Sequence, residues 1–269
     1  MSTPSYRTYT GSAAETYQRC FVPAIAEPVS EPLLEAARLQ TGQRVLDVAC
    51  GTGVIARAAV DRVGATGSVT GVDVAPDMID VAKSLAAPDG AHVEWHVADA
   101  AALPLPDAAF DVVLCQMGLM FMEDRLGALT EMRRVLEPGG RVAVSTPGPV
   151  QAAFQILEQG IEEHIDPGLG KFVAGVFSMH DASEVGALLT SAGFTATTSS
   201  TVQVDLRLPG PADWLWQYIE LTPIGPVVAA ADPKARAALE RHVVAAWQPY
   251  VARGRLQVQQ PMVIATGRR

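Results

Sequence analysis

The chain has 269 residues, of which 49% are hydrophobic and 6% aromatic, with a formal net charge of −9. That length and apolar content allow a full core, while the acidity argues against the basic footprint of a nucleic-acid binder. No run reaches the roughly eighteen apolar residues of a membrane helix, and residues 1–20 lack a basic-then-apolar signal pattern, so a cytoplasmic protein with no membrane partner is expected.

Residues 12–39 predict one or two amphipathic helices. The apolar run 44–48 predicts a first strand, and 53–63 a helix behind it. Ser68 to Asp73 predicts a second strand, Ala75 to Ala86 a helix, and the alternating Val93 to Val97 a third strand. Asp111 to Gln116 predicts a fourth strand, 123–136 a helix, Pro138-Gly139-Gly140 a turn and 141–146 a fifth strand. This βαβα order predicts a parallel sheet with helices on both faces, binding its ligand beyond the strand ends where the strand order reverses.

After Pro147 the pattern loosens, with helices expected near 151–164 and 181–192 and a long strand from Phe194 to about Leu208. Helical text rich in Trp and Tyr fills 211–252, and a last strand, 256–266, suggests an antiparallel pair at the sheet edge. Cys20, Cys50 and Cys115 are too few and too scattered for a disulfide framework or a zinc cluster. Cys50 and Cys115 are expected to be small buried hydrophobes near each other at two strand ends.

Val45-Leu46-Asp47-Val48-Ala49-Cys50-Gly51-Thr52-Gly53 carries the most functional information. A buried strand ends in a glycine turn whose backbone can approach a ligand at the start of a helix. Gly51, Gly53 and Ala56 also fit the G-x-G-x-x-A form of the dinucleotide fingerprint, so a nicotinamide cofactor stays an alternative. Asp47 would repel a pyrophosphate there. It would attract the ammonium and sulfonium of S-adenosylmethionine, which is the favoured cofactor.

The ordered motifs extend this reading. They are Asp47 to Gly53, Gly71-Val72-Asp73-Val74-Ala75-Pro76-Asp77-Met78, Val97-Ala98-Asp99-Ala100, Leu103 to Asp107 with Phe110-Asp111, and Leu136 to Arg141. The chain thereby resembles the class I S-adenosylmethionine-dependent methyltransferases, close to the ubiquinone/menaquinone-type C-methyltransferases of the small-molecule branch. Ala49 stands where the family has its first glycine.

The resemblance implies a Rossmann-like, seven-stranded, mostly parallel sheet with the last strand antiparallel. It also implies an N-terminal helical cap (1–40), a cofactor-binding core (41–148) and a C-terminal part (149–269) that completes the sheet. Helical lids are expected near 150–180 and 211–252.

For the cofactor, the resemblance implies that Asp73 takes the ribose hydroxyls, that Val74 and Met78 pack the adenine, and that Asp99 and Ala100 address its edge. Gly51, Gly53 and Ala49 make room for the methionine portion, Asp47 faces its ammonium, Gln116 touches it, and Tyr17 closes over the site. Several of these residues have a plainer role open to them: Asp47 as a helix cap, Asp99 as an N-cap, Met78 as core, Gln116 as a strand end.

Methyl transfer needs a general base only where the acceptor must lose a proton. His164 and His180 are the weak candidates; His92, His96 and His242 are expected to be structural. Met117, Met120, Phe121, Trp214 and Tyr218 are expected to wall the acceptor pocket.

The fourth strand ends Leu114-Cys115-Gln116-Met117-Gly118, without the motif of nucleic-acid amino methyltransferases and without an acid cluster for Mg²⁺. The expected partner is a small apolar or aromatic acceptor, methylated at O, C or N without metal. Alternatives are an enzyme of this fold that binds S-adenosylmethionine but does not methylate, such as a cyclase, or a binding module. The acceptor, the atom methylated and the state of assembly (monomer or homodimer) are not legible.

Overall fold

The structure is a computed structural model that describes residues 13–85 and 92–269. Residues 1–12 of the expected cap and Ala86 of the expected second-motif helix lie outside these described residues.

Five strands form the parallel part of the sheet: β1 (Arg44–Val48), β2 (Ser68–Asp73), β3 (Val93–Val97), β4 (Phe110–Gln116) and β5 (Leu136–Pro147). The sheet order is β3-β2-β1-β4-β5-β8-β6, with β6 spanning Thr195–Leu208 and β8 Arg255–Arg268. β8 runs antiparallel to both β5 and β6. A two-residue strand, β7 (Val251–Ala252), folds back on β8 and makes an eighth member.

The strand order reverses between β1 and β4. Right-handed crossovers through α3 (Val54–Val63) and α4 (Pro76–Ser84) run one way from β1, and the crossover through α5 (Arg125–Val135) runs the other way from β4. The two sets of helices therefore cover opposite faces. Burial on both faces explains why β1 and β4 read as unbroken apolar runs: Val45, Leu46, Val48, Val112, Val113 and Leu114 are all fully buried.

The described N-terminal segment is α1 (Ala13–Thr16), a π-helix at Tyr17–Ala26 and α2 (Ser30–Ala37). The π-turn was not expected. It contains Pro23, which has no N–H to give to a regular helical ladder. Beyond β5 come α6 (Ala152–His164), α7 (Gly170–Val176) and α8 (Ala182–Ser191). Between β6 and β7 lie α9 (Pro211–Glu220), α10 (Gly225–Ala229) and α11 (Pro233–Trp247). The helices α7 and α10 fall within the expected helical segments near 150–180 and 211–252, but seven and five residues are too few to show a period that would bound them.

An ion pair fastens the two central strands at their entry. Asp111 accepts from the Arg44 backbone N–H at 2.6 Å and from its guanidinium at 2.8 Å. These bonds hold the Asp111 carboxyl down at about 2, against its ordinary 3.8. A depressed carboxylate contributes stability above its unfolded value and loses it as pH falls through the folded one. Asp111→Asn should therefore destabilise the protein by about 1–2 kcal/mol at pH 7, allowing for the solvent around Arg44. The difference should vanish between about pH 4 and pH 2, which chemical denaturation across that range would reveal.

Candidate functional site

A cavity of about 630 Å³ opens at the carboxyl ends of the parallel strands, over the point where their order reverses. Val48, Asp73, Ala98 and Gln116, from the ends of β1 to β4, line its floor. Ala49, Gly51, Val74, Met78, Asp99 and Ala100 line it as well. The π-helix presents Tyr17, Phe21 and Ile25 at four-residue spacing, and the rings of Tyr17 and Phe21 stack 4.8 Å apart above Gly51.

The acids are held by the loop they terminate. Asp73 Oδ2 accepts from the Gly51 N–H at 2.8 Å, and its Oδ1 from the Ala75 N–H at 2.9 Å. The Val74 N–H adds a third backbone contact, and the residue also lines the cavity. Burial pushes the Asp73 carboxyl up, opposed by these N–H bonds.

Asp47 is 1% exposed and lies behind the cavity lining. Its Oδ2 accepts from the Ala56 N–H at 3.0 Å, capping the first turn of α3 from the neighbouring strand. Its Oδ1 is buried without a partner. Burial above all, with Asp73 adding to it, pushes the Asp47 carboxyl up to about 8.

Asp99 Oδ1 accepts from the Ala101 N–H at 2.9 Å and so closes a local turn. Gln116 donates from Nε2 to the carbonyl of Ala26 at 3.0 Å, satisfying the end of the π-helix, while its Oε1 is buried without a partner. Gln116 thus ties β4 to the π-helix, as Arg141 of β5 ties the sheet to the end of α2.

The loop backbone is strained where it meets the cavity. Ala49 has φ 57° and Met117 φ 51°, left-handed conformations that cost a non-glycine residue about 1–2 kcal/mol. Gly51, at φ 53°, holds the same conformation without that penalty.

Gly53 differs from the sequence expectation: it is outside the cavity lining. Its φ is 86°, and a Cβ there would lie 2.2 Å from Cη2 of Trp95 on β3. The residue makes way for an indole rather than for a ligand. Gly53→Ala should destabilise the fold by about 1–3 kcal/mol in thermal denaturation.

Beyond the acids most of the lining is apolar, with Glu123, Arg125, Lys171, Ser178 and Gln260 interspersed. Met117, Met120 and Phe121 follow β4, Phe154 comes from α6, Phe172 from α7 and Tyr218 from α9. Trp214 does not reach it. It is fully buried one helical turn from Tyr218, rings 5.7 Å apart, and serves as core behind the wall. Burial raises the Tyr218 phenol above its ordinary value.

The missed lining residues Phe172 and Lys171 belong to α7, whose existence no sequence period announced. Phe21 and Ile25 could have been found, since they repeat the spacing of Tyr17.

Neither candidate base lies at the cavity. His164 pairs with His242 between α6 and α11, and His180 Nδ1 lies 2.9 Å from the carbonyl of Phe177. His96 pairs with Glu94 at 2.9 Å on the outer strand. The cysteines follow the apolar expectation: Cys50 and Cys115 are buried, and burial pushes the Cys115 thiol up to about 12.

Strand order, a glycine turn and a cavity over the reversal point define a doubly wound α/β protein with a ligand site at the strand ends. Residues 45–140 match the family described as "Methyltransferase domain".

The chain is 38% identical over 139 residues to the demethylmenaquinone methyltransferase of Thermus thermophilus, covering 51% of this chain and 63% of that protein. It is 28% identical to the nocamycin O-methyltransferase of Saccharothrix syringae, covering 90% of each. Among solved structures, a phosphoethanolamine N-methyltransferase 2 of Haemonchus contortus shares the fold, with a TM-score of 0.59 at 19% identity, over 98% of this chain and 58% of that one. The resemblance read from the motifs therefore holds, and the dinucleotide alternative is not favoured. Among the described residues no helix is long and apolar enough to cross a membrane.

Proposed function

We propose that the chain transfers a methyl group from S-adenosylmethionine to O, C or N of a small, apolar or aromatic acceptor. The observation that carries this is one cavity with two unlike walls, acids and strand ends on one side and Met117, Met120, Phe121, Phe154 and Tyr218 on the other.

The residues fit the cofactor. The unpartnered buried oxygens of Asp47 and Gln116 are two acceptors lacking a donor, and the cofactor's α-ammonium is a donor. Asp73 would hold the ribose, Val74 and Met78 the adenine faces, Asp99 and the Ala100 backbone its edge, and Tyr17 the lid. When bound, the sulfonium supplies an electrophilic methyl group.

The chain's own contribution is to align the acceptor and exclude water, which together supply several kcal/mol. Neither His164 nor His180 lines the cavity, whereas Glu123 and Lys171 do, and either could take a proton where the acceptor must lose one.

The relatives, named for demethylmenaquinone and for O-methylation of nocamycin, support a metabolite acceptor over a macromolecule, as does the acidic surface. Their names do not favour the non-methylating alternative. On this reading, residues 1–40 and the helices near 150–180 and 211–252 are lids on a core at 41–148.

The test is S-adenosylhomocysteine release from a panel of acceptors, with melting of the cofactor-bound protein as a second readout. Apolar and aromatic acceptors are expected to score in both. A panel in which only polar amines and acids do so would overturn the assignment of the acceptor wall.

A further inference from the structure

Away from the cavity, the end of α6 carries Glu163 and His164 against His242 of α11. His164 Nε2 lies 3.0 Å from His242 Nδ1, with the rings edge to face at 75°. Glu163 reaches both: its Oε1 is 3.7 Å from His164 Nε2 and its Oε2 3.5 Å from His242 Nδ1. Two ring nitrogens and the Glu163 carboxylate thus meet between two helices, 3.0 Å between the rings and 3.5 and 3.7 Å to separate carboxylate oxygens, with one ligand atom from each residue within 4.8 Å of the others. In a tetrahedral site with metal–nitrogen bonds near 2.0–2.1 Å, adjacent ligand atoms sit about 3.3–3.4 Å apart. The three separations lie on either side of that value.

The chemistry of the donors agrees with the geometry. Of two ring nitrogens at hydrogen-bond distance only one carries a proton, so the other already presents its lone pair to the first. A cation placed between them takes both lone pairs and the Glu163 carboxylate, and the proton shifts to the other nitrogen of its own ring, so both imidazoles stay neutral. The rings are half-buried and Glu163 is exposed, which leaves a fourth position facing water.

We infer that Glu163, His164 and His242 form a binding site for one divalent transition-metal ion. Two imidazoles and a carboxylate select zinc, cobalt, nickel or copper over magnesium and calcium. None of the three residues lines the cavity. The ion's role is a clamp, because α6 and α11 pack along each other and Trp247 already donates to the Ala153 carbonyl across them at 2.8 Å. α6 also carries Phe154 into the cavity wall, so the clamp would stiffen that wall.

The experiment uses the full chain, stripped with chelator and desalted, titrated with Zn²⁺ in a calorimeter and with Co²⁺ by visible absorption. One equivalent is expected to bind, with the intense absorption bands of tetrahedral cobalt and a rise in melting temperature with zinc. His164→Gln and His242→Gln, on different helices, should each weaken binding by at least about tenfold, and Glu163→Gln should weaken it less. S-adenosylmethionine affinity should stay unchanged in all three, so failure of the metal site is separable from failure of the methyltransferase reading. Absence of saturable binding would overturn the site. So would equal binding by wild type and the double histidine variant, or equal competition by Mg²⁺.

Discussion

Asp73→Ala is expected to weaken S-adenosylmethionine binding by about 1–3 kcal/mol, because an ionised acceptor for the ribose hydroxyls is removed. The structure adds a second cause. The Gly51 and Ala75 N–H groups, which now donate to Asp73, would lose their acceptor, and the loop under Tyr17 would loosen. Asp73→Asn separates the two, since its one amide oxygen can still accept from the loop while the charge is gone. Calorimetric titration of both variants should show alanine worse than asparagine and both worse than wild type. An unchanged dissociation constant in Asp73→Ala would remove the ribose assignment.

Asp47→Asn is expected to have opposite effects on stability and on binding. Its carboxyl titrates near 8 in the fold, against 3.8 as the ordinary value. An acid whose folded value is raised is favourable while protonated, so its contribution is whole below about pH 4 and is lost as pH rises toward 8. Relative to Asp47→Asn, wild-type stability without ligand should fall with a slope of up to about 1.4 kcal/mol per pH unit over that window. A cationic ligand reverses the balance by stabilising the carboxylate. Binding near pH 7 should then release a proton, seen as a calorimetric heat that varies with the ionisation enthalpy of the buffer. Asp47→Asn should bind more weakly and show no such variation. Parallel stability curves and a buffer-independent heat would remove Asp47 from the ammonium's surroundings.

The parallel half of the sheet was legible because β1 and β4 are short apolar runs buried on both faces, β3 alternates, and turns with their own chemistry follow the strands. Pro76 starts α4, and Asp124 caps α5 through the Gly127 N–H. Asp73, Asp99 and Met117 could be placed at the cavity because residues at strand ends inherit their position from the sheet.

The cap was less legible. Trp214 and Tyr218 lie on one helix and one face, and only the packing of α9 decides that Tyr218 reaches the ligand space and Trp214 does not. Gly53 lies outside the cavity lining and against Trp95, and a glycine spared for a ligand and one spared for an indole leave the same trace in one sequence. His164 gave no sign of His242, a partner on a helix far along the chain.

The helices between β6 and β8 leave and rejoin the sheet at one place, since Leu208 pairs with Leu256 across the ladder. Residues 209–254 are therefore an enlarged hairpin loop in topological terms, and lengthening such a loop carries only a slowly growing entropic penalty. That segment can be exchanged for another of different length while the ladder on either side keeps its register. A foreign segment grafted between the same two leucines would replace the wall that Tyr218 supplies and the contacts of α9 to the π-helix, while the parallel strands keep their places.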